Sequence, residues 1–277
     1  MKKDSQKIPK IIHYFWFGKN PESDLILKCI SSWKKYNPDY KIIRWDESNF
    51  NIDDSIDYVK EAYYAKKWAF VSDYARFYVL NKYGGIYLDT DVEALKSLDP
   101  IVNKGPFLAM EHDNYDSIAP GLGMASLPDN LLLKKMLEDY KNRHFKKKDG
   151  FYDETPVGVR LTEKFLLKDG LKDINGIQKV DGFFIYPKEY FCPLDFQTGK
   201  INITQNTYTI HHYASSWWDE KDRKYWKIAQ KLTPIIGVSN ANKVQHVLKA
   251  PHTIKNRLKQ AGMVRTIKYY KNKFIGR

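Results

Sequence analysis

Residues 84–96 read GGIYLDTDVEALK and place the carboxylates of Asp89 and Asp91 at the end of a short apolar run. In an extended strand, residues two positions apart project from the same face, so both side chains can approach one cation. The alternative is that one Asp faces solvent and the other caps a turn. Burying two like charges without a cation is costly, which favours the cation site.

The chain around this stretch alternates between strand and helix patterns. Residues 10–18 (KIIHYFWFG) and 40–46 (YKIIRWD) are apolar, β-rich runs, and a helix between them is predicted by apolar residues at helical spacing: Leu25, Ile26, Cys29, Ile30 and Trp33. A second helix is predicted over 58–83, ended by Gly84 and Gly85. This order predicts an α/β fold with a mainly parallel central sheet. The two carboxylates then lie at the carboxyl edge of that sheet, where ligands bind.

The second half of the chain continues the mixed pattern. Residues 107–113 and 117–126 are predicted as strands, 130–145 and 157–170 as helices, and 207–218 as the end of a later β-rich stretch. We therefore expect a catalytic domain over residues 1–222 and a basic, largely helical extension over residues 223–277.

The net charge of +13 is concentrated in this extension. From residue 223 onwards there are 14 Lys or Arg and no Asp or Glu, which leaves 32 basic against 33 acidic residues in the rest of the chain. The extension is predicted as an amphipathic helix with one apolar face: Ile254, Leu258, Ala261, Val264, Ile267 and Phe274. Such a helix suits an anionic membrane surface. The alternative is that the apolar face packs on the catalytic domain.

The chemistry of the carboxylate pair indicates a hard divalent cation, Mn²⁺ or Mg²⁺, because such ions prefer oxygen ligands. A cation held by two carboxylates completes its coordination with water and phosphate oxygens, so the expected ligand is a diphosphate, most simply a nucleotide. The sequence has neither a GxxxxGK[ST] loop nor a GxGxxG motif. The diphosphate is therefore expected to be held through the metal.

Four blocks carry a resemblance to a known family: IPKIIHYFWFG, SWKKYNPDYKIIRWDESNF, WAFVSDYARFYVLNKYGGIYLDTDVEALKSLD and IHHYASSW. Together they resemble the DXD-containing sugar transferases of glycosyltransferase family 32, which include the yeast initiating α-mannosyltransferase and bacterial capsular enzymes. They are more distantly similar to the glucosyltransferase domain of clostridial toxins. The resemblance implies a GT-A type nucleotide-sugar-binding fold, Mn²⁺ or Mg²⁺ dependence and transfer with retention of configuration.

The resemblance also implies roles for the residues around the motif. Asp91 would bind the metal directly, and Asp89 would contact the ribose or bind the metal through water. Asp73 and Arg76 would contact the transferred sugar and the diphosphate, although a surface ion pair at this spacing is the alternative. Tyr87 would line the donor pocket.

Two aromatic segments complete the predicted donor site. Trp16 would stack on the nucleobase, or else belong to the core, whereas His13 is expected to be structural. At the other end of the match, adjacent histidines project to opposite sides of a strand. We expect His212 to be the third metal ligand, with His211 as the alternative. The phosphate-binding residues implied by the resemblance are Ser215, Ser216 and Trp217.

A nucleophile for a covalent intermediate is not evident in the sequence. Glu111 and Asp113 are candidates, but acids on a loop are usually solvated. Two cysteines, Cys29 and Cys192, lie far apart and are expected to be reduced.

The resemblance implies an enzyme that moves a sugar, most simply from a UDP-sugar, to a saccharide acceptor in bacterial capsule, O-antigen or other surface polysaccharide synthesis. The acceptor could be lipid-linked, and we expect a cytoplasmic protein at the inner face of the plasma membrane. The alternatives are a toxin-like transferase that modifies a protein and a non-enzymatic, basic nucleic-acid-binding protein. The third hypothesis leaves the carboxylate pair unexplained, and no nucleic-acid partner is expected.

Overall fold

The structure, a computed structural model, describes residues 7–112, 118–174, 176–215 and 218–275, with side chains as far as residue 272. The backbone groups into two compact units. The first comprises Met1–Arg143, Thr155–Leu194 and Ile201–Ala214, and the second comprises His144–Glu154, Asp195–Lys200 and Ser215–Arg277. The predicted division of roles at residue 222 stays a prediction.

The first unit contains the β-strands of the described residues. They are β1 (Ile11–Phe15), β2 (Lys41–Trp45), β3 (Gly85–Tyr87), β4 (Val92–Ala94), β5 (Phe107–Ala109), β6 (Met124–Ser126), β7 (Gln178–Val180), β8 (Phe183–Tyr186) and β9 (Thr209–His211). Its helices are α1 (Asp24–Tyr36), α2 (Asp57–Tyr64), α3 (Trp68–Tyr83), α4 (Asp99–Val102), α5 (Leu131–Lys141), α6 (Val157–Leu161) and α7 (Lys188–Phe191). A π-helical turn, Thr162–Leu166, follows α6.

The main sheet has seven strands in the order β2-β1-β3-β6-β5-β8-β7. β1 is parallel to β2 and β3, and β5 is parallel to β8, while β6 and β7 run antiparallel to their neighbours. Five of the seven strands therefore share one direction. This confirms the predicted α/β class with a mainly parallel sheet. β4 and β9 form a separate, antiparallel two-stranded sheet.

Helix α3 differs from the prediction, which continued one helix over 58–83. The structure has two helices, α2 and α3, separated at residues 65–67. Lys66 has a φ of 58°, a left-handed conformation that cannot continue a right-handed helix. α3 then buries Phe70, Val71, Phe77 and Leu80. Its end at Gly84 follows the prediction, because the φ of 65° there is one that glycine adopts readily.

The carboxylate pair also lies in a different local structure from the one predicted. The sequence suggested a single strand over IYLDTDV, but β3 ends at Tyr87 and β4 begins at Val92. Asp89 and Asp91 therefore flank a turn that leaves the main sheet and enters the two-stranded sheet. The backbone N–H of Val92 closes this turn by donating to Asp89 O at 3.1 Å.

The second unit is dominated by the helical segment α8 (Glu220–Ile275), which confirms a helical extension. The backbone is non-helical at Gly237 and Gly262, both with φ of 77°. The predicted continuous apolar face is therefore wrong, because the break at Gly262 separates Ala261 from Val264. Ala261 instead lies beside Gly150 of the same unit. The side chain of Phe274 lies outside the described residues.

Two further properties of the chain bear on its environment. Within the described ranges, no helix is long and apolar enough to cross a membrane. Cys29 and Cys192 are both buried and unpaired by disulfide, as expected.

His13 is also structural, as predicted: it is buried, its Nε2 lies 2.9 Å from Gly84 O, and its Nδ1 accepts from Trp45 Nε1 at 3.0 Å.

Candidate metal and donor site

The pairing of β4 with β9 brings the carboxylate motif close to the adjacent histidines, His211 and His212. Val92 lies opposite His211 in this ladder. Asp91, one residue earlier, has its Oδ1 at 3.2 Å from His211 Nε2, and its Oδ2 accepts from the backbone N–H of Ala214 at 2.7 Å. Asp91 is only 9% exposed. Residues far apart in the sequence thus enclose one carboxylate.

Asp89 is held on the opposite side of the turn. Its backbone N–H donates to Gly121 O at 2.9 Å, and its Oδ1 accepts a hydrogen bond from the Tyr87 hydroxyl. Gly121 is close enough that a Cβ there would lie 2.0 Å from Asp89 Oδ2. Arg76 Nη2 approaches Asp89 Oδ1 at 3.5 Å. Asp89 is therefore oriented by a tyrosine, an arginine and the backbone of a loop.

Asp73 and Arg76 lie on one face of α3, as the spacing of three residues predicts. Arg76 Nη2 is 2.9 Å from Asp73 Oδ1, and the guanidinium carbon is 4.6 Å from the centre of the Tyr87 ring. Arg76 is 5% exposed, so the alternative of a surface ion pair does not describe this contact. The structure places Asp73, Arg76, Tyr87 and Asp89 in one connected cluster.

Burial changes the ionisation of this cluster. It raises the pKa of Asp73 to about 6, with the charge of Arg76 opposing the shift and that of Asp89 adding to it. Burial also raises the pKa of Tyr87 well above its ordinary value, against the opposing charge of Arg76. A neutral Tyr87 hydroxyl can donate to Asp89 throughout the physiological range.

Asp91 and His211 behave as a coupled ion pair. Burial by itself raises the pKa of Asp91, but the charge and hydrogen bond of His211 bring it below its ordinary value. Burial by itself lowers the pKa of His211, but the charge and hydrogen bond of Asp91 outweigh it and raise that pKa well above the ordinary value. Each group therefore stabilises the charged form of the other.

Three side chains of this region have the geometry of a cation site. Asp89, Asp91 and His211 each offer a ligand atom, and these atoms lie within 4.8 Å of one another. Two carboxylates and one imidazole suit Mn²⁺ and also permit Mg²⁺, with remaining positions open to water or phosphate. The donor set fits the predicted divalent cation.

His212 is not at this site, which corrects the predicted placement. Its Nε2 lies 2.7 Å from Glu93 Oε2, and Glu93 also pairs with Lys28 Nζ at 2.9 Å. The prediction chose between two histidines that alternate across a strand, and the register with β4 turns His211 toward Asp91. The structure therefore places His211, the alternative that the sequence left open, beside Asp91.

The other residues predicted for the donor site are not members of the cluster formed by Asp89, Asp91 and His211. Trp16 follows β1, is half-buried, and donates from Nε1 to Asn20 O at 2.6 Å. Ser215 is buried in the second unit, and its carbonyl accepts from Arg223 Nη1 at 3.2 Å. Ser216, Trp217 and Asp113 lie outside the described residues.

The sequence did not predict that Tyr213 supports the ring of His211. Tyr213 packs edge-on against the His211 ring with centroids 4.4 Å apart, and its hydroxyl lies 3.0 Å from Cys192 Sγ. The same hydroxyl is hydrogen-bonded to Glu111. Tyr213 adopts a φ of 50°, unusual for a residue with a large side chain. Its position next to HH in the sequence was the only available signal.

Residues 23–108 match a protein family described as the glycosyltransferase sugar-binding region containing DXD motif. This match includes the turn of Asp89 and Asp91 and the helix of Asp73 and Arg76. These residues are similar to the DXD-containing glycosyltransferases. His211 lies beyond the matched DXD region, so the ligand cluster combines positions inside and outside that match.

Curated relatives that match this chain are named as mannosyltransferases or glycosyltransferases. The chain is 26% identical over 112 residues to inositol phosphoceramide mannosyltransferase 1 of Schizosaccharomyces pombe, covering 38% of this chain and 34% of the relative. It is 30% identical over 105 residues to inositol phosphoceramide mannosyltransferase 3 of the same yeast, covering 36% and 28%. The chain thus spans about a third of the length of these relatives. An uncharacterised glycosyltransferase of Acanthamoeba polyphaga mimivirus is 25% identical over 222 residues, covering 76% and 84%.

Two solved structures of glycosyltransferases are similar to parts of this chain. One is the PaToxG glycosyltransferase, with a TM-score of 0.37 and 22% identity over 47% of this chain and 59% of that chain. The other is a glycosyltransferase involved in glycosylation of the major capsid of PBCV-1, with a TM-score of 0.41 and 12% identity over 76% of this chain and 95% of that chain.

Proposed function

We propose that the protein is a metal-dependent glycosyltransferase that moves a sugar from a nucleotide sugar, with a UDP-sugar favoured, to a saccharide acceptor. The observation that carries this proposal is the cluster of Asp89, Asp91 and His211, whose ligand atoms lie within 4.8 Å of one another. Asp89 and Asp91 lie inside the region that matches the DXD-containing glycosyltransferases. The arginine beside Asp89 adds a buried cation for an anionic donor.

Asp91 and His211 would hold Mn²⁺ or Mg²⁺ directly, with Asp89 as the third ligand or as a ligand through water. A divalent cation at this position stabilises the negative charge that develops on the departing nucleoside diphosphate. His211 must be neutral to bind the metal, so loading the site would release a proton. The Ala214 N–H and Tyr213 would keep the two ligands in place during this exchange.

Arg76 and Asp73 would orient the donor. The guanidinium is fixed by Asp73 and the Tyr87 ring, so it can bind a diphosphate oxygen without first losing side-chain freedom. The Asp73 carboxylate would accept hydrogen bonds from hydroxyls of the transferred sugar. In this arrangement Arg76 assists the leaving group and Asp73 positions the sugar.

The other predicted donor contacts remain part of this proposal. Trp16 would stack on the nucleobase, because a half-buried ring beyond the end of β1 has a face available for this contact. Tyr87 would line the pocket while it positions Asp89. Ser215, Ser216 and Trp217 would contact the diphosphate from the chain segment that follows His211.

The wider assignment comes from the family resemblance. We propose a GT-A type fold, retention of configuration, a catalytic domain over residues 1–222, and a role in bacterial capsule, O-antigen or other surface polysaccharide synthesis. A lipid-linked acceptor is supported by the names of the yeast relatives, which act on an inositol phosphoceramide. Such an acceptor would place the protein at the cytoplasmic face of the plasma membrane.

The test is release of nucleoside diphosphate from a panel of UDP- and GDP-sugars in the presence of Mn²⁺, Mg²⁺ or EDTA. We expect slow, metal-dependent hydrolysis of one donor without acceptor, and its loss in Asp91→Asn. Glu93→Gln is the matched control, because it removes the charge of a neighbouring carboxylate that pairs with His212 and Lys28.

Two results would contradict the proposal at different levels. Hydrolysis of GDP-mannose alone would replace the UDP preference and leave the site intact. No turnover, together with no metal-dependent rise of the melting temperature with any nucleotide, would remove the donor site itself.

A further inference from the structure

Residues 238–261, the middle part of α8 between its two glycine breaks, present an apolar stripe to solvent. Val247, Ile254 and Leu258 are 73%, 42% and 37% exposed, and Ala250 and Pro251 lie on the same side of the helix. At about 100° per residue these five positions fall within roughly 100° of the helix circumference. The stripe is therefore a real face and not a set of scattered residues.

The opposite face of the same helix is occupied within the second unit. Ala241 is fully buried, Lys249 Nζ is 3.2 Å from Asp222 Oδ2, and His252 Nε2 is 3.2 Å from Asp219 Oδ1. By the same helical periodicity these positions lie across the helix from Val247, Ile254 and Leu258. One face is thus fixed by internal contacts, and the apolar face is left exposed.

Exposed lysines flank the apolar stripe. Lys255 is exposed and lies to one side of the stripe by helical periodicity, and Lys243, also exposed, lies one turn before Val247. The whole segment from residue 223 onwards has no acidic residue that could neutralise these cations. An apolar stripe with basic borders matches the boundary between lipid chains and anionic headgroups.

The two ends of this helix carry further apolar pairs. Ile235 and Ile236 precede the break at Gly237 and are 78% and 37% exposed. Met263 and Val264 follow the break at Gly262 and are 68% and 80% exposed. A helix of this length extends about 36 Å, so the two pairs lie beyond its opposite ends.

We propose that residues 238–261 lie along an anionic lipid bilayer, with Val247, Ile254 and Leu258 inserted among the headgroups and the flanking lysines bound to lipid phosphates. The inference depends on α8 alone and not on the transferase activity. A second copy of this chain fits less well, because two such surfaces would bring lysines together. Nucleic acid would bind the lysines but leave the apolar stripe in water.

The experiment is co-sedimentation of the full chain with phosphatidylcholine vesicles, with and without phosphatidylglycerol. We expect binding that requires phosphatidylglycerol and weakens as salt is raised, because the Debye length shortens. The triple variant Val247→Ser/Ile254→Ser/Leu258→Ser should reduce the partition coefficient by more than about tenfold. Lys243→Gln/Lys255→Gln should reduce it by a similar factor.

The matched control is Ile201→Ser/Ile203→Ser, which removes apolar side chains that are 51% and 57% exposed elsewhere in the chain. This variant should bind vesicles within about twofold of the unchanged protein, since its positions lie outside the helix. Circular dichroism would check that each variant keeps its helix content. Donor hydrolysis without vesicles should persist in all three variants, so that failure of lipid binding is separable from failure of the transferase.

Several outcomes would overturn the inference. They are equal binding to neutral and anionic vesicles, equal loss in the Ile201/Ile203 control, or no binding at all. Binding to a DNA duplex that is lost only in the lysine variant, with vesicle binding unaffected by the serine variant, would assign the surface to nucleic acid.

Discussion

The pairs Asp91–His211 and Glu93–His212 lie at the same end of the two-stranded sheet and contain the same kinds of group. Their side chains are similarly exposed, 13% and 15% in the first pair and 16% and 20% in the second. They differ in their neighbours. Asp91 and His211 lie beside another carboxylate, Asp89, whereas Glu93 is bound by Lys28.

This difference separates a cation site from an internal salt bridge. The lysine of α1 already neutralises Glu93, so the second pair has little remaining affinity for a metal ion. Burial tends to raise the pKa of Glu93, but Lys28 and His212 lower it overall. The first pair instead has a second carboxylate, that of Asp89, within ligand distance, and we propose that a divalent cation binds there. We therefore expect the neighbouring groups, more than burial, to determine which pair binds a metal ion.

The strongest test of the comparison removes the negative charge of each pair in turn. Asp91→Asn should lower kcat/KM for metal-dependent donor hydrolysis by more than about 10³-fold, because it removes a ligand and the charge that holds it. Glu93→Gln should stay within about threefold. Release of nucleoside diphosphate measures both, and an equal loss in the two variants would show that the pairs are not distinct.

The second test compares the histidines. His211→Ala should weaken Mn²⁺ binding by about a hundredfold. Mutation of a residue that only contacts a metal ligand already lowers metal affinity by about ten- to a hundredfold. His212→Ala should change it by less than about threefold. Calorimetric titration with Mn²⁺ in the presence of nucleoside diphosphate separates the two. A larger loss in the His212 variant would return the ligand role to the residue that the sequence favoured.

A third test uses the acid that lies closest to Arg76. The pKa of Asp73 is about 6 in the folded protein, above the 3.8 of a free side chain, so the folded protein holds this proton more tightly than the unfolded chain does. The group therefore contributes stability that is present below pH 4 and lost as the pH rises through 6. From pH 4 to pH 7, Asp73→Asn should gain about 2 kcal/mol relative to the unchanged protein.

Urea unfolding at both pH values would measure this difference. The readout is the change with pH, because the loss of the Arg76 partner affects both conditions. A difference that is independent of pH would mean that Asp73 ionises as an ordinary carboxylate and that the cluster around Asp89 is more hydrated than the structure indicates.

The smallest expected effect concerns the salt bridge of the second pair. Lys28 is 61% exposed at its side chain, so Lys28→Met should lower the free energy of unfolding by less than about 1 kcal/mol. Donor hydrolysis should be unchanged. If Lys28→Met instead allowed a second Mn²⁺ to bind at Glu93 and His212, calorimetry would detect two sites, and the role assigned to the lysine would be directly demonstrated.

The sequence predicts β1, α1 and β2 well, because their apolar residues follow strand and helix periods and turn residues separate them. The turn between Asp89 and Asp91 escapes such reasoning, since Ile86 and Leu88 continue an apolar pattern into it. The change of sheet depends on β9, which is remote in the sequence. The helix break at Lys66 has no neighbouring glycine or proline that would predict it from the sequence.

The candidate site was predicted in composition but not in register. The motif supplied Asp73, Arg76, Asp89 and Asp91, while the HH pair left two alternatives open. Alternation along a strand shows that the two histidines face opposite ways, but only the pairing of Val92 with His211 determines which way each faces. Long-range register is a tertiary property, and a local pattern does not contain it.

Gly121 gives the site a dependence that no survey of ligand-contacting residues would detect. Its lack of a side chain leaves room for Asp89 Oδ2, and even the smallest substitution, Gly121→Ala, would place a carbon 2.0 Å from that oxygen. Any side chain at position 121 would therefore force the Asp89 carboxylate to move, although the glycine itself bears no functional group. Transplanting the DXD turn into another scaffold would require this empty volume to be transplanted as well.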